Sequence, residues 1–212
     1  DQMIGPLQVP VSNIGITASN IGSTNGQVLT MGERPQIAIT NPEASAEISF
    51  GEVITNISSA YIKNISNIKI SANWMASSVN SNEISALYLA VKKISQICTY
   101  TGITIPVGKD SLSMNTSWSD KNSHKQVESP VSLVLSAFSS IDNVKKYKTP
   151  EITGNGNLFL IDLGDAKDRL GGSAYHQINN IIDDDVPRID NLDNLVSFFK
   201  LIQELHKKNI ID

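Results

Sequence analysis

Residues 12–18 alternate apolar and polar positions around Ile14 and Ile16 and predict a strand, and residues 20–33, rich in Gly, Ser, Thr and Asn, predict a mobile loop. A second strand is expected at Gln36–Thr40. Asn41-Pro42-Glu43 then supplies a helix start, with Asn as cap, Pro at the first helical position and an acid near the positive helix end. That helix should run to about Lys63, because Ala46, Phe50, Val53, Ile57 and Ala60 recur at spacings of four and three and form one apolar stripe. Asn67–Trp74 reads as a strand. Asn80 with Glu83 forms a capping pair for a helix near 81–100, whose Ile84, Leu87, Val91, Ile94 and Cys98 share a face. Ile103–Val107 predicts a strand, Gly108-Lys109-Asp110-Ser111 a turn, and Val131–Ser139 a further strand. Two helices among four or more strands make residues 1–148 an α/β (α+β) sandwich.

Lys145–Pro150 and Gly154–Asn157 are polar and turn-rich, which places a domain boundary near 148/149. The strongly apolar run Leu158–Leu163 predicts a strand that restarts the pattern in residues 149–212, followed by a glycine-containing loop and helices near Ser173–Ile182 and Asn191–Lys208. Asn209–Asp212 reads as the start of a strand, and Asp1 takes the place of an initiator methionine, so the chain is expected to be an internal piece of a longer protein.

Composition narrows the function classes. With 40% hydrophobic residues in 212 the chain can build a real core. Its 17 basic against 21 acidic residues, with no basic run interleaved with aromatics, argue against nucleic acid as a partner. The single cysteine, Cys98, excludes an internal disulfide and the usual zinc thiolate pairs, which fits a reducing, cytoplasmic setting. Its place on a helix stripe makes it a small core residue rather than an activated thiol. No apolar run is long enough for a transmembrane helix, so no membrane association is expected.

Three places hold residues that a fold alone does not ask for. Glu52 and Asn56 lie one helical turn apart and project from one face, where they suit a hard cation or equally a solvated polar surface. Pro106-Val107-Gly108-Lys109-Asp110-Ser111 offers a cation, an acceptor and a hydroxyl to a phosphorylated sugar, or an ordinary turn; its spacing is not that of a P-loop. Leu170-Gly171-Gly172-Ser173 precedes a predicted helix and can present N–H groups to phosphate, or simply make a tight helix entry. His124, His176 and His206 have no partner at triad or zinc spacing, and none is given a catalytic role.

Taken in order, Asp1-Gln2-Met3-Ile4-Gly5-Pro6, Met31-Gly32-Glu33-Arg34, Gly51-Glu52-Val53-Ile54-Thr55-Asn56-Ile57, Lys69-Ile70-Ser71-Ala72-Asn73-Trp74-Met75, Gly102–Ser111 and Leu163-Gly164 with Leu170–Ala174 resemble successive blocks of the large, single-chain phosphoribosylformylglycinamidine synthase family. The resemblance covers nearly the whole chain. It implies an aminoimidazole ribonucleotide synthetase-like A domain, the second copy of the synthase core, over 1–148, and the opening of its B domain over 149–212. The implied reaction is ATP- and glutamine-dependent: the amide oxygen of formylglycinamide ribonucleotide is phosphorylated and then displaced by ammonia to give the amidine of purine biosynthesis.

The resemblance further implies that Glu52 and Asn56 hold Mg2+ on a nucleotide, ATP or a structural ADP, together with a strand carboxylate. That carboxylate position falls on Asn13, which brings no charge. Ser12 would stand beside the nucleotide, with Gly171, Gly172 and Ser173 as further cofactor contacts, and Lys109, Asp110 and Ser111 would face the ribonucleotide. The implied partners are the remaining synthase-core domains and the glutaminase domain of the same chain. Two alternatives stand beside this reading: a nucleotide-binding and assembly module that is inactive alone, and a related A-B enzyme such as aminoimidazole ribonucleotide synthetase.

Overall fold

The computed structural model describes residues 2–4, 9–120, 123–152, 154 and 156–211; Asp1, Gly5, Pro6, Asn155 and Asp212 of the sequence expectations lie outside them. The fold is mixed α+β. Strands β1 (Gln2–Ile4), β2 (Val9–Ser12), β3 (Ile14–Ala18) and β4 (Gly26–Glu33) lead into helices α1 (Pro35–Ala38) and α2 (Pro42–Ile57) and a 3-10 turn at Ile65–Asn67. Next come β5 (Lys69–Met75), α3 (Ser81–Thr101), β6 (Thr104–Ser111), β7 (Asn115–Asp120), β8 (Ser123–Glu128) and β9 (Ser132–Ile141), and last α4 (Ala174–Ile178) and α5 (Leu192–Lys208).

The principal sheet has the order β3-β4-β9-β5-β6, antiparallel except for the β5/β6 pair, which α3 connects. Helices α2 and α3 cover one face. Ala46, Phe50, Val53, Ile57 and Ala60, the stripe read from the sequence, are all fully buried there against Val28, Ile70, Ala72, Leu135 and Ala137. Asn41 caps α2 by accepting a hydrogen bond from Ala44 N (2.9 Å). By register, Leu29, Met31, Val134, Ser136, Phe138, Ser71, Asn73 and Lys109 share the opposite, open face.

Several expectations are corrected. The stretch predicted as a loop to residue 33 contains β4, whose alternation is hidden because glycine occupies inward positions. A Cβ at Gly32 would collide with the Ser49 carbonyl of α2 and stand 2.9 Å from Val53 Cγ2, so close helix packing demands the glycine. The strand expected at Gln36–Thr40 is a helical turn, opened by Pro35 at its first position and burying Ile37 and Ala38. Helix α2 ends at Ile57, not Lys63, where the Ser58 and Ser59 hydroxyls donate to Thr55 O and Asn56 O.

Helix α3 is rotated from the predicted stripe: Ala90, Ile94, Ile97 and Thr101 are buried, whereas Ile84 and Val91 are exposed. Asn80 caps it, but Glu83 accepts from Val131 N (2.6 Å), the residue before β9, instead of returning to its own helix end. The Gly108–Ser111 turn is the second half of β6, and β7 with β8 forms a separate hairpin. Leu158–Leu163 forms no strand. Leu158, Phe159 and Leu160 stand 85–95% exposed, and an apolar run becomes a strand only where a neighbouring strand takes its N–H and C=O groups. Helix α4 is a short Ala174–Ile178, and Ile210 and Ile211 lie in no strand.

Helix α5 packs onto the first 148 residues through Leu195 and Phe199, which join the main core. Two polar side chains fix it further. Gln203 accepts from Ile62 N (2.7 Å) and donates to Ser58 O (3.2 Å), and buried His206 donates Nε2–H to the same carbonyl (3.0 Å). A second tie is Glu47, 4% exposed within α2. Its carboxylate receives Arg188 Nη2 (3.3 Å), Lys93 Nζ (3.1 Å) and Ile189 N–H (3.2 Å), so one buried charge joins α2, α3 and the 186–190 segment. Among the described residues no helix is long and apolar enough to cross a membrane.

Removing one partner of such a cluster strands buried charges. Glu47→Ala is expected to lower the unfolding free energy by about 3–5 kcal/mol, read from the urea midpoint, with Lys93→Ala costing less because Lys93 reaches the surface. His206 gives a pH signature. Burial, and repulsion by Lys148 and Lys146 against the favourable Ser58 carbonyl, lower its basicity below the ordinary 6.5. The unfolded chain therefore takes up a proton that the folded chain refuses. Stability should be level above about pH 7 and fall as pH drops through about 6.5, and His206→Gln should remove that part of the slope.

Candidate functional site

The site begins at a break between strands. β3 pairs with β4 only as far as Ile14↔Thr30, so the next groups on that edge of β4 lack a strand partner. Helix α2 supplies them. Asn56 Nδ2 donates to Met31 O (3.2 Å), and Glu52 Oε2 accepts Glu33 N–H (2.9 Å). One helical turn rises about 5.4 Å and two residues of strand span about 6.8 Å, so side chains four apart on the helix reach backbone groups two apart on the strand. Arg34 Nη1 donates to the same Glu52 oxygen at 2.7 Å. Ser12, buried, folds its hydroxyl around Asn13, donating to Ile14 O (3.2 Å), while Asn13 O accepts from Thr30 Oγ1 (2.7 Å).

Asn13, Arg34, Glu52 and Asn56 form one wall of a cleft of about 420 Å3, a size suited to a small ligand. The other wall is Leu163, Gly164, Lys167, Arg169 and Pro187–Ile189, with Leu195 of α5 behind. A strained turn delivers its cations. Asp165 and Ala166 adopt positive φ (58° and 54°), and the Asp162 carboxylate holds them by accepting Gly164 N–H and Ala166 N–H, both at 2.7 Å. Beyond the turn, Lys167 Nζ and Arg169 Nη2 converge on Asp190 at 2.9 and 2.7 Å. Lys167, hydrogen-bonded to Asp190, and Arg169 hold that carboxyl below the ordinary carboxylate range against the opposing effect of desolvation.

The cleft lining thus carries Arg34, Lys167, Arg169 and Arg188 against a single carboxylate, Glu52, in a chain whose net charge is -4. Such a surface suits an anion with several oxygens. It fits the implied magnesium ion poorly. Asn13 and Asn56 bring no charge, and Arg34 already occupies one oxygen of Glu52. Among the described residues no group of three or more His, Cys, Asp or Glu side chains gathers into a metal-binding cluster. The four cations were not candidates in the sequence reading. The nearest signal was the Asp165-Ala166-Lys167-Asp168-Arg169 run that follows Leu163-Gly164, which is weak by itself.

The other predicted site residues fall elsewhere. Ser12 does not line the cleft; it joins Asn13, Glu52 and Asn56, with Glu33 and Arg34, around a wider depression of about 800 Å3 that opens onto the uncovered sheet face beside Met31, Ser136 and Phe138. Lys109 and Ser111 lie on edge strand β6 and point the same way, Lys109 Nζ donating to Ser111 Oγ (2.6 Å), while Asp110 alternates to the other side beside Trp74. Strands β4 and β6 are three positions apart in the sheet, about 14 Å at the usual strand spacing, so Lys109 and the cleft occupy opposite edges. Gly171 and Gly172 do not line the cleft; packing accounts for both. A Cβ on Gly171 would meet Val186 Cγ1 at 2.6 Å, and Gly172 takes φ +74° against Ile37. Ser173 caps α4 by accepting from His176 N (3.3 Å). Cys98 is half-buried, and desolvation pushes its thiol up to about 11, so it stays protonated at neutral pH.

Known structures share this fold. Thermotoga maritima PurL complexed with AMPPCP aligns with a TM-score of 0.50 at 16% identity, covering 71% of this chain and 23% of that one. The same protein complexed with ADP gives the same TM-score of 0.50 and 16% identity, again over 71% and 23% of the two chains. The chain therefore spans about a quarter of the length of the PurL structures it matches. Residues 1–140 match the FGAR-AT PurM_N-like domain, and the chain belongs to that family.

Proposed function

We propose that this chain is the second A domain (1–148) and the opening of the second B domain (149–212) of a cytoplasmic, glutamine-dependent formylglycinamide ribonucleotide amidotransferase, and that it binds the adenine nucleotide of that enzyme in the cleft between α2 and residues 163–191. The observation that carries this reading is the convergence of Arg34 from one span with Lys167, Arg169 and Arg188 from the other on one small cavity. Phosphate oxygens match guanidinium and ammonium donors in charge and geometry, and a polyphosphate can bridge two walls that neither span forms alone. The family match over residues 1–140 supplies the chemical context.

The complete enzyme would phosphorylate the amide oxygen of the ribonucleotide and replace it with ammonia released from glutamine in a separate glutaminase domain. This chain's share is nucleotide binding, assembly with the remaining synthase-core domains and, at β6, contact with the ribonucleotide. Lys109 and Ser111 suit that contact, since they project together from an edge strand and offer a cation and a hydroxyl to a phosphorylated sugar. Assembly has its own support: Met31 (55%), Val107 (60%) and Phe138 (36%) are exposed on strands of the open sheet.

Two measurements test the reading. Fluorescent ADP should bind the folded chain and be displaced by ATP, with Arg188→Ala weakening binding about tenfold, the loss expected for one charge-assisted phosphate contact. In the full-length enzyme, Lys109→Ala should raise KM for the ribonucleotide about tenfold or more while leaving KM for glutamine unchanged. Unaltered ribonucleotide kinetics would reduce the Lys109–Ser111 pair to a surface contact.

A further inference from the structure

The cleft residues speak to how a nucleotide would be held, beyond whether one is. We infer that the polyphosphate is neutralised directly by Arg34, Lys167, Arg169 and Arg188, and that binding in this chain needs no divalent cation. The inference rests on the nucleotide reading of the cleft. A hard divalent cation on a nucleotide takes one or two protein carboxylates besides the phosphates, and these must be free to turn toward it. Here the lining offers one carboxylate, Glu52, whose Oε2 is committed to Glu33 N–H (2.9 Å) and Arg34 (2.7 Å). A guanidinium at that distance repels any cation placed on the same carboxylate. Asn13 and Asn56 add only amide groups, and Asn56 turns its Nδ2 to Met31 O. At the cleft the four cations offer N–H donors that phosphate oxygens can use without a bridging metal.

The cations are also pre-oriented. Each stands on an acid that fixes its direction: Arg34 on Glu52, Lys167 and Arg169 on Asp190, Arg188 on Glu47. Asp165 and Asp185 lie further out, 3.8 Å from Lys167 and 3.9 Å from Arg169, with side chains about 70% exposed. A guanidinium carries five N–H donors, so an arginine anchored by one or two of them still presents others to phosphate oxygens. Side-chain entropy that free surface cations would lose on binding is therefore already lost on folding. Asp190 clamps two cations from the rim side, and Glu47 anchors Arg188 from within the helix layer.

The two accounts of the cleft differ in sign at Glu52. As a metal ligand it attracts the nucleotide complex; beside a bare polyphosphate it repels. Fluorescent ADP is titrated into the folded chain in excess magnesium chloride and in excess EDTA at matched ionic strength, with inorganic pyrophosphate as competitor. Affinities in the two buffers are expected to agree within about threefold, and pyrophosphate should displace the probe in EDTA. Glu52→Gln, which keeps an acceptor for Glu33 N–H, should tighten binding about threefold or more in both buffers. The Lys167→Ala/Arg169→Ala double variant should weaken it at least about tenfold in both. Circular dichroism and thermal melts confirm that each variant is folded. Binding that disappears in EDTA, or that Glu52→Gln weakens, overturns this inference and leaves the nucleotide site standing. No binding by the folded chain in either buffer overturns both.

Discussion

The contact between α2 and β4 is the constraint from which the rest of the structure follows. Helix and strand approach so closely that Gly32 has no room for a side chain beneath Ser49 and Val53. At that separation Glu52 and Asn56 can reach the backbone of β4 and satisfy the groups that β3 leaves open when its pairing stops at Ile14. These two side chains take the place of a further strand along that edge of β4. The residues that look most like a ligand set are thus also structural ones.

The cleft is a consequence of how the later part of the chain lies on that unit. Leu195 and Phe199 bring α5 into the main core, and Gln203 and His206 fasten it to the Ser58 carbonyl. Glu47 then draws Arg188 and Ile189 down onto α2. With that end of the 163–191 stretch fixed and Leu163 packed against the core at the other, the turn at Asp165 and Ala166 brings Lys167 and Arg169 to the cleft opposite Arg34. Five acids in this neighbourhood fix the directions of the cations, and of these Glu52 alone is part of the lining.

The chain belongs to the FGAR-AT PurM_N-like domain family and shares its fold with PurL, spanning about a quarter of the PurL structures compared. The arrangement suits a division of labour in which one edge of the sheet handles a nucleotide and the opposite edge, at Lys109 and Ser111, a second ligand. About 14 Å between β4 and β6 leaves the open face between them free for contact with other domains.

The helices were legible because their signals are local. Asn41-Pro42 and the Ala46–Ala60 stripe state a helix start and its buried face, and both Asn80 and Asn191 cap where polar residues precede apolar periodicity. What failed were inferences about strands and about which side of an element is covered. β4 was hidden because its buried positions include glycines that tertiary packing requires, Gly32 against α2 and Gly26 against Thr17 and Val144, and Leu158–Leu163 has the composition of a strand without the neighbour that would make it one. In the same way sequence spacing put Glu52 and Asn56 on one face of a helix, but the charge they meet there, Arg34 at 2.7 Å and cations more than a hundred residues away, was decided by tertiary packing. A sequence determines periodicity, caps and the residues available for chemistry. Electrostatics depends on distance in space, and that distance exists only once the chain has folded.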